Sequence, residues 1–144
     1  MKENTLNRIK KYFEDKPVIA VYLYGSVLES KLNSLSDIDI GVLLTDEVLK
    51  EDYLDRRLHY IVDLGKLFKG KRADVVVLNQ TSPLLAHQIV TTGKPIYVTD
   101  QFEKTRFEVE AIKRYDDAKF LRDVYYSYLE KRIRDNKMGE KYEK

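Results

Sequence analysis

Residues 22–40 read YLYGSVLESKLNSLSDIDI, and this stretch decides the predicted fold. It joins the end of one apolar, β-rich run, residues 18–24, to the start of a second run, residues 37–44. Each run has the length and composition of a buried strand. Gly25-Ser26 ends the first strand abruptly, and we expect a short helix to begin there.

Apolar residues at helical spacing predict helices on both sides of these strands. The N-terminal helix covers residues 4–15. The next runs from Thr45 or Asp46 to about Lys69, with Gly70 as its C-terminal cap. The buried stripe predicted for this second helix consists of Leu54, Leu58, Ile61, and Leu64 or Phe68.

Two more strands and a helix complete the central part of the chain. Strands are predicted over residues 73–78 and 95–99, the second at a sheet edge because it contains proline. Between them, Ser82-Pro83 marks the first turn of a helix that runs toward Gly93. The alternation of helices and strands indicates an α/β (α+β) fold, a sheet covered by helices, and leaves open which strands run parallel.

The C-terminal part of the chain is predicted to form one long helix. Asp100 and Glu103 are a candidate capping box, and the helix covers about residues 101–134. We expect residues 135–144 to form a frayed tail. No linker or repeat interrupts the sequence, so residues 1–144 are predicted to form a single domain.

Composition argues against several classes of function. The net charge is +2, from 26 basic and 24 acidic residues, which is too balanced to indicate a nucleic-acid binder. There is no cysteine, and the two histidines, His59 and His87, are far apart, so we expect no zinc site. Carboxylates would have to hold any metal ion, which favours Mg²⁺ or Mn²⁺. No apolar run has the length of a membrane span and the N-terminus lacks a signal-peptide core, so we expect a cytoplasmic protein without membrane partners.

Two carboxylates stand at the start of the second predicted strand. Asp37 and Asp39 are separated by one residue, so their side chains point to the same face of the strand. Ile38 and Ile40 point the other way, into the predicted core. Two carboxylates on one face repel each other unless a cation lies between them, and such a pair can hold a divalent ion.

A third carboxylate, Asp74, stands at the head of another predicted strand and precedes four apolar residues. If that strand neighbours the one that carries Asp37 and Asp39, Asp74 can join the pair. Three carboxylates can hold two metal ions roughly 3.5–4 Å apart, the arrangement used in phosphoryl and nucleotidyl transfer. Alone, however, Asp74 could simply pair with Lys71 or Arg72.

Gly25-Ser26 is a candidate phosphate-binding element. Glycine permits close approach of the backbone to a phosphate, a helix N-terminus favours anions, and the Ser26 hydroxyl can add a hydrogen bond. Each piece alone has an ordinary explanation: a turn for Gly-Ser, a cap or exposed strand edge for Asp-x-Asp. Together, Gly-Ser, ten residues and Asp-x-Asp occur by chance in roughly one chain of this size in a thousand, from average residue frequencies.

The spacing Gly-Ser-x10-Asp-x-Asp resembles the motif of the DNA polymerase β-like nucleotidyltransferase superfamily. The chain is similar, over nearly its whole length, to the minimal nucleotidyltransferases (MNT) that serve as antitoxins in HEPT–MNT toxin–antitoxin pairs. Residues 73–98, ADVVVLNQTSPLLAHQIVTTGKPIYV, resemble that family's third-carboxylate strand, Pro-Leu-Leu helix and last short strand, and residues 107–133 resemble its terminal helix. The resemblance implies a nucleotidyltransferase fold with a small mixed β-sheet packed by helices.

The resemblance also implies a role for each candidate residue. Gly25 and Ser26 would contact the phosphates of ATP, and Asp37, Asp39 and Asp74 would be the catalytic carboxylates that hold two Mg²⁺ ions. The reaction implied is transfer of AMP from ATP to a tyrosine of a HEPT toxin partner. Independently of the resemblance, the tyrosine-rich last helix could form an interface in a homo-dimer or hetero-oligomer. One departure concerns residues 27–31, VLESK, which lack the arginine that usually follows the family's Gly-Ser.

Two other functions remain open at this level. The same motif would serve an enzyme that transfers a nucleotide to a small molecule such as an antibiotic, although this chain has little beyond the minimal core to build an acceptor pocket. The changed segment after Ser26 also leaves open a non-catalytic antitoxin that neutralises its partner by binding alone.

Overall fold

The computed structural model describes residues 3–25, 37–69 and 71–142. Ser26, the short helix predicted to begin there and the predicted cap Gly70 lie outside these residues. Within the described part, four strands form one sheet: β1 (Val18–Tyr24), β2 (Ile38–Leu44), β3 (Ala73–Val77) and β4 (Lys94–Val98). Their order is β3-β2-β1-β4, with β1 antiparallel to both β2 and β4, and with β2 parallel to β3. The predicted mixed sheet and the edge position of the proline-containing strand are confirmed.

Helices precede, connect and follow these strands. They are α1 (Glu3–Phe13), α2 (Tyr53–Leu67), α3 (Pro83–Thr92) and α4 (Gln101–Tyr142), with short 3₁₀ turns at Lys50–Asp52 and Leu78–Gln80. The predicted N-terminal caps of the last two helices are present. Ser82 Oγ accepts a hydrogen bond from the Leu85 N–H at 3.2 Å, and Asp100 Oδ1 accepts one from the Glu103 N–H at 3.1 Å.

Apolar side chains are buried on both faces of the sheet. On one face, Phe13 of α1 and Tyr60 of α2 meet edge to face, with ring centroids 5.4 Å apart, above Ile38 and Ile40. On the other face, Ile89 of α3 belongs to a second cluster with buried residues of β1 and β2: Ala20, Tyr22 and Leu43. Because both faces are covered, the strands are nearly continuous apolar runs, as the sequence indicates.

The second helix differs from its prediction in where it begins and which face it buries. Residues 45–49 form a turn, in which the Val48 N–H donates to Thr45 O and the Val48 side chain enters the core, so α2 begins only at Tyr53. Leu54 and Leu58 are 62% and 51% exposed. The buried residues of α2 are Tyr53, Tyr60 and Leu64, and Phe68 just after the helix is also buried, so the predicted stripe is confirmed at Leu64 and Phe68 and wrong at Leu54 and Leu58. This face is buried because Tyr60 packs edge to face against Phe13, and because aromatic rings bury more area than leucines.

The terminal helix is longer than predicted. It continues to Tyr142, so residues 135–142 are helical rather than part of the frayed tail expected over 135–144. Half of the residues of this segment, Lys137, Met138, Glu140 and Lys141, have high helix propensity, and the segment contains no proline. Among the described helices, α4 included, none has the length and apolarity needed to cross a membrane.

Candidate active site

Strands β2 and β3 bring the predicted carboxylates together. The two strands run parallel with Asp39 directly opposite Asp74, and Asp37 immediately precedes β2. The condition under which Asp74 can join the pair, adjacency of these two strands, is therefore met. A cleft of about 360 Å³ opens at this end of the sheet, and we call it the acid cleft. Its lining consists of Asp37, Asp39, Arg72, Ala73 and Asp74.

Gly25 borders the acid cleft from the β1 side. Tyr24, the last residue of β1, pairs with Asp39, so the chain turns at Gly25 directly beside that carboxylate. Gly25 has φ of 81°, and a Cβ atom at this position would lie 2.5 Å from Asp39 Oδ2. Glycine is therefore required here both for its backbone conformation and for its lack of a side chain. Ser26, the other predicted phosphate-binding residue, lies outside the described residues.

The acid cleft concentrates negative charge. Burial, followed by the charges of Asp74 and Asp37, raises the pKa of Asp39 above its ordinary value. Burial, with the Asp39 and Asp74 carboxylates, also raises the pKa of the Tyr24 hydroxyl to about 12. Both pKa values are raised, as expected for groups that become negatively charged near other carboxylates. A cation in the acid cleft would therefore stabilise the charged form of each group.

Arg57 is a residue of this site that the sequence reasoning missed. Its Nε donates a hydrogen bond to Val75 O at 2.6 Å, and its Nη2 lies 3.4 Å from Asp74 Oδ1. The sequence does carry a signal for it. Arg57 is spaced four residues after Tyr53 and three before Tyr60, on the face of α2 that packs on the sheet, where an arginine needs a partner.

The chemistry of the acid cleft suits a divalent metal ion. Its three carboxylates are hard oxygen ligands, the type that Mg²⁺ and Mn²⁺ prefer. Among the described residues, no three carboxylate or imidazole side chains already converge in a metal-binding arrangement. Asp37 and Asp74 are exposed, and Asp74 is paired with Arg57, whereas Asp39 is held between β1 and β3.

Comparison with known proteins identifies a family. Residues 7–102 match the family model described as polymerase beta, nucleotidyltransferase. The chain is 30% identical over 119 residues to the protein adenylyltransferase MntA of Shewanella oneidensis, and the match covers 80% of each chain.

Solved structures give the same result. One similar chain belongs to the complex of tri-AMPylated Shewanella oneidensis HEPN toxin with MNT antitoxin. That match has 27% identity and a TM-score of 0.69, and it covers 90% of this chain and 98% of the other. A second similar chain comes from a toxin–antitoxin structure with AMP-PNP, with 25% identity, a TM-score of 0.68 and the same two coverages.

The fold, the carboxylates and the relatives therefore agree. A nucleotidyltransferase takes a nucleotide as substrate, and nucleotidyl transfer generally uses a divalent metal ion. The enzyme class and the family resemblance predicted from residues 25–39 and 73–98 are confirmed. The chain belongs to the polymerase β nucleotidyltransferase family.

Proposed function

We propose that this enzyme is an antitoxin that transfers AMP from ATP to a tyrosine of a HEPT-type toxin. The observation that carries the proposal is the acid cleft, which Asp37, Asp39 and Asp74 line beside Gly25. Its support from relatives is the 30% identity to a protein adenylyltransferase and the likeness to a chain from a complex with a tri-AMPylated toxin.

The acid cleft divides into two sides by strand order. Gly25 follows β1, and we assign it, with Ser26, to the phosphates of ATP. Asp74 stands on β3, at the other side of Asp39, so we assign the acceptor hydroxyl to the β3 side. Asp37, Asp39 and Asp74 are the residues that would hold two Mg²⁺ ions, or Mn²⁺ in their place. When bound, such ions neutralise the triphosphate and lower the pKa of the attacking hydroxyl.

The reaction balances with the residues present. The acceptor oxygen forms a bond to the α-phosphorus of ATP, and the bond from that phosphorus to the oxygen bridging to the β-phosphorus breaks. Pyrophosphate leaves with that oxygen and its electron pair. We assign to Asp74, whose side chain is 54% exposed, acceptance of the proton of the acceptor hydroxyl. Because the reaction consumes ATP and the acceptor is a toxin, we assign it to the cytoplasm.

The test uses purified enzyme, ATP labelled on the α-phosphate, Mg²⁺ and a HEPT-type protein encoded beside this chain. We expect label on a tyrosine of that protein and release of pyrophosphate. The double variant Asp37→Asn/Asp39→Asn should transfer at least ~100-fold less label, because it removes two of the three carboxylates. Asp55→Asn is the matched control, since Asp55 is 77% exposed on α2 and does not line the acid cleft.

Two results would contradict this function in different ways. Full neutralisation of the toxin by the double variant, without any transfer of label, would show an antitoxin that acts by binding alone. Transfer of AMP to aminoglycosides or lincosamides, with none to the protein, would show an enzyme that modifies small molecules. Label that persists in the double variant would show that the acid cleft is not the active site.

A further inference from the structure

Arg57 holds strand β3 at the residue that carries the third carboxylate. One guanidinium contacts two successive residues of the strand: its Nε donates to Val75 O at 2.6 Å, and its Nη2 lies 3.4 Å from Asp74 Oδ1. Arginine presents its donors in a rigid planar fork, so a contact at one nitrogen restricts where the other can lie. Arg57 of α2 thereby links the side chain of Asp74 to the backbone of β3 at Val75.

The strand needs such a contact because it stands at an edge of the described sheet. The Ile38 N–H of β2 donates a hydrogen bond to Arg72 O, in the chain leading into β3, and alternate residues of a parallel strand face the same neighbour. The backbone groups of Val75 therefore face away from β2. Without Arg57, the Val75 carbonyl would lack this partner, and α2 would lose a tie to β3.

The side chain of Asp74 needs orienting for a separate reason. It is 54% exposed, and an exposed carboxylate samples several rotamers. Among the described residues, Arg57 makes the one side-chain ion pair found for Asp74. In contrast, Asp39 lies between its neighbours on β1 and β3 and has the Gly25 backbone against it.

We propose that Arg57 is a positioning residue that restricts the Asp74 carboxylate to the acid cleft, on the strand opposite Asp39, where it can take part in binding a divalent ion. This inference rests on the proposed function, because it treats Asp74 as a metal ligand. A purely electrostatic role predicts the opposite effect on metal binding. If Arg57 only added positive charge, its removal would tighten the binding of a cation in the cleft.

The experiment compares Arg57→Lys and Arg57→Gln with the unaltered enzyme. Lysine keeps the charge but cannot contact the carbonyl and the carboxylate with a planar fork, and glutamine keeps a donor without the charge. Arg56→Gln is the matched control, because Arg56 is adjacent on α2 but lines a different pocket, with Glu47 and Asp52.

The first readout is Mn²⁺ affinity by electron paramagnetic resonance, which needs no turnover. The second is kcat and KM for ATP in AMP transfer.

We expect both Arg57 variants to bind Mn²⁺ ~10-fold more weakly and to lose ~10–100-fold in kcat, with KM for ATP unchanged. The Arg56 variant should match the unaltered enzyme. Unchanged Mn²⁺ affinity and kcat in Arg57→Lys would overturn the proposal, because the planar fork would then not be needed. Tighter Mn²⁺ binding by Arg57→Gln, or unchanged affinity in both variants, would also overturn it.

The two readouts separate this inference from the proposed function. If the unaltered enzyme binds Mn²⁺ but transfers no AMP to the toxin, the proposed function fails and the affinity series still decides the role of Arg57. If the unaltered enzyme binds no Mn²⁺, Asp74 is not a metal ligand in need of positioning, and the inference is overturned.

Discussion

At the scale of single residues, the acid cleft is a place where the chain accepts locally unfavourable features. Gly25 adopts a left-handed conformation directly against Asp39, and the pKa of Asp39 is raised because its charge is partly buried beside Asp74 and Asp37. Neither feature contributes to stability on its own. Both are expected where a site holds charged ligands close together at the cost of folding free energy.

Substitution of Gly25 tests the first of these features. Gly25→Ala should destabilise the protein by about 1–2 kcal/mol from the backbone conformation alone, and it should reduce AMP transfer because the new methyl group displaces the Asp39 carboxylate. Urea unfolding and the transfer assay measure the two effects. Gly65→Ala is the control, since a Cβ there meets no atom within 4 Å and alanine favours the helix. Equal stability and activity in Gly25→Ala would contradict the geometry.

Substitution of Asp39 tests the second feature through pH. Because its pKa is raised in the folded state, ionisation of Asp39 disfavours folding, and this destabilisation develops as pH rises from the ordinary value of 3.8 through the folded pKa. Asp39→Asn should therefore raise the melting temperature at pH 7 by about 1–3 °C, a small gain because Asp39 is partly exposed. Below pH 3.8 the gain should disappear. Calorimetry at pH 7 and below pH 3.8 measures this gain in melting temperature. A melting temperature of Asp39→Asn at pH 7 that is lower than that of the unaltered protein would contradict the predicted gain.

At the scale of elements, α4 divides into a packed half and a projecting half. In the packed half Ala111 is fully buried, Lys104 pairs with Glu108 at 2.6 Å, and Tyr115 stacks on His87 of α3 with centroids 3.9 Å apart. Beyond residue 118, the described side chains up to residue 136 are exposed, except for the half-buried Leu129. The helix therefore contributes to folding mainly through its first five turns.

Removal of residues 120–144 tests this division. The truncated chain should keep a melting temperature within about 2 °C of the full chain, because little apolar area is buried by the part removed. A charge in the packed half, Ala111→Asp, should by contrast destabilise the fold by about 2–3 kcal/mol, since it would be buried without a partner. A truncated chain that fails to fold would show that the projecting half packs on the body.

At the scale of the whole molecule, the sheet with helices on both faces is a rigid support for one site at one end. The core clusters on the two faces fix β2, and β2 in turn sets where β1 and β3 present Gly25 and Asp74. The site itself is the part of the structure where charge opposes folding. Binding of a cation there should therefore stabilise the entire fold, because the native state binds it and the unfolded chain does not.

Metal linkage tests this expectation. Mg²⁺ at about 100 times its dissociation constant should stabilise the enzyme by ~2.7 kcal/mol, seen as a rise in melting temperature, and chelation with EDTA should reverse it. Asp37→Asn/Asp39→Asn should show no such rise, although it should be the more stable protein without metal. An equal rise in the double variant would place the metal elsewhere on the molecule.

The features that could be predicted from the sequence differ from element to element. The caps at Ser82 and Asp100 and the bounds of β1 were predictable because they depend on neighbouring residues. The beginning of α2 was not, because the turn before it is fixed by burial of Val48 in the core. Its buried face was predicted correctly at Leu64 but not at Leu54 and Leu58, since burial of Tyr60 depends on packing against Phe13, a residue of another helix.

The sequence by itself determined the candidate residues of the site. The period of a strand places Asp37 and Asp39 on one face, and the Gly-Ser spacing identifies the family. Only the tertiary structure decided that β3 lies parallel beside β2, with Asp74 opposite Asp39, and that Arg57 contacts Asp74. These pairings join residues far apart in the chain, so they depend on how the helices pack on the sheet. Local pattern does not encode that packing.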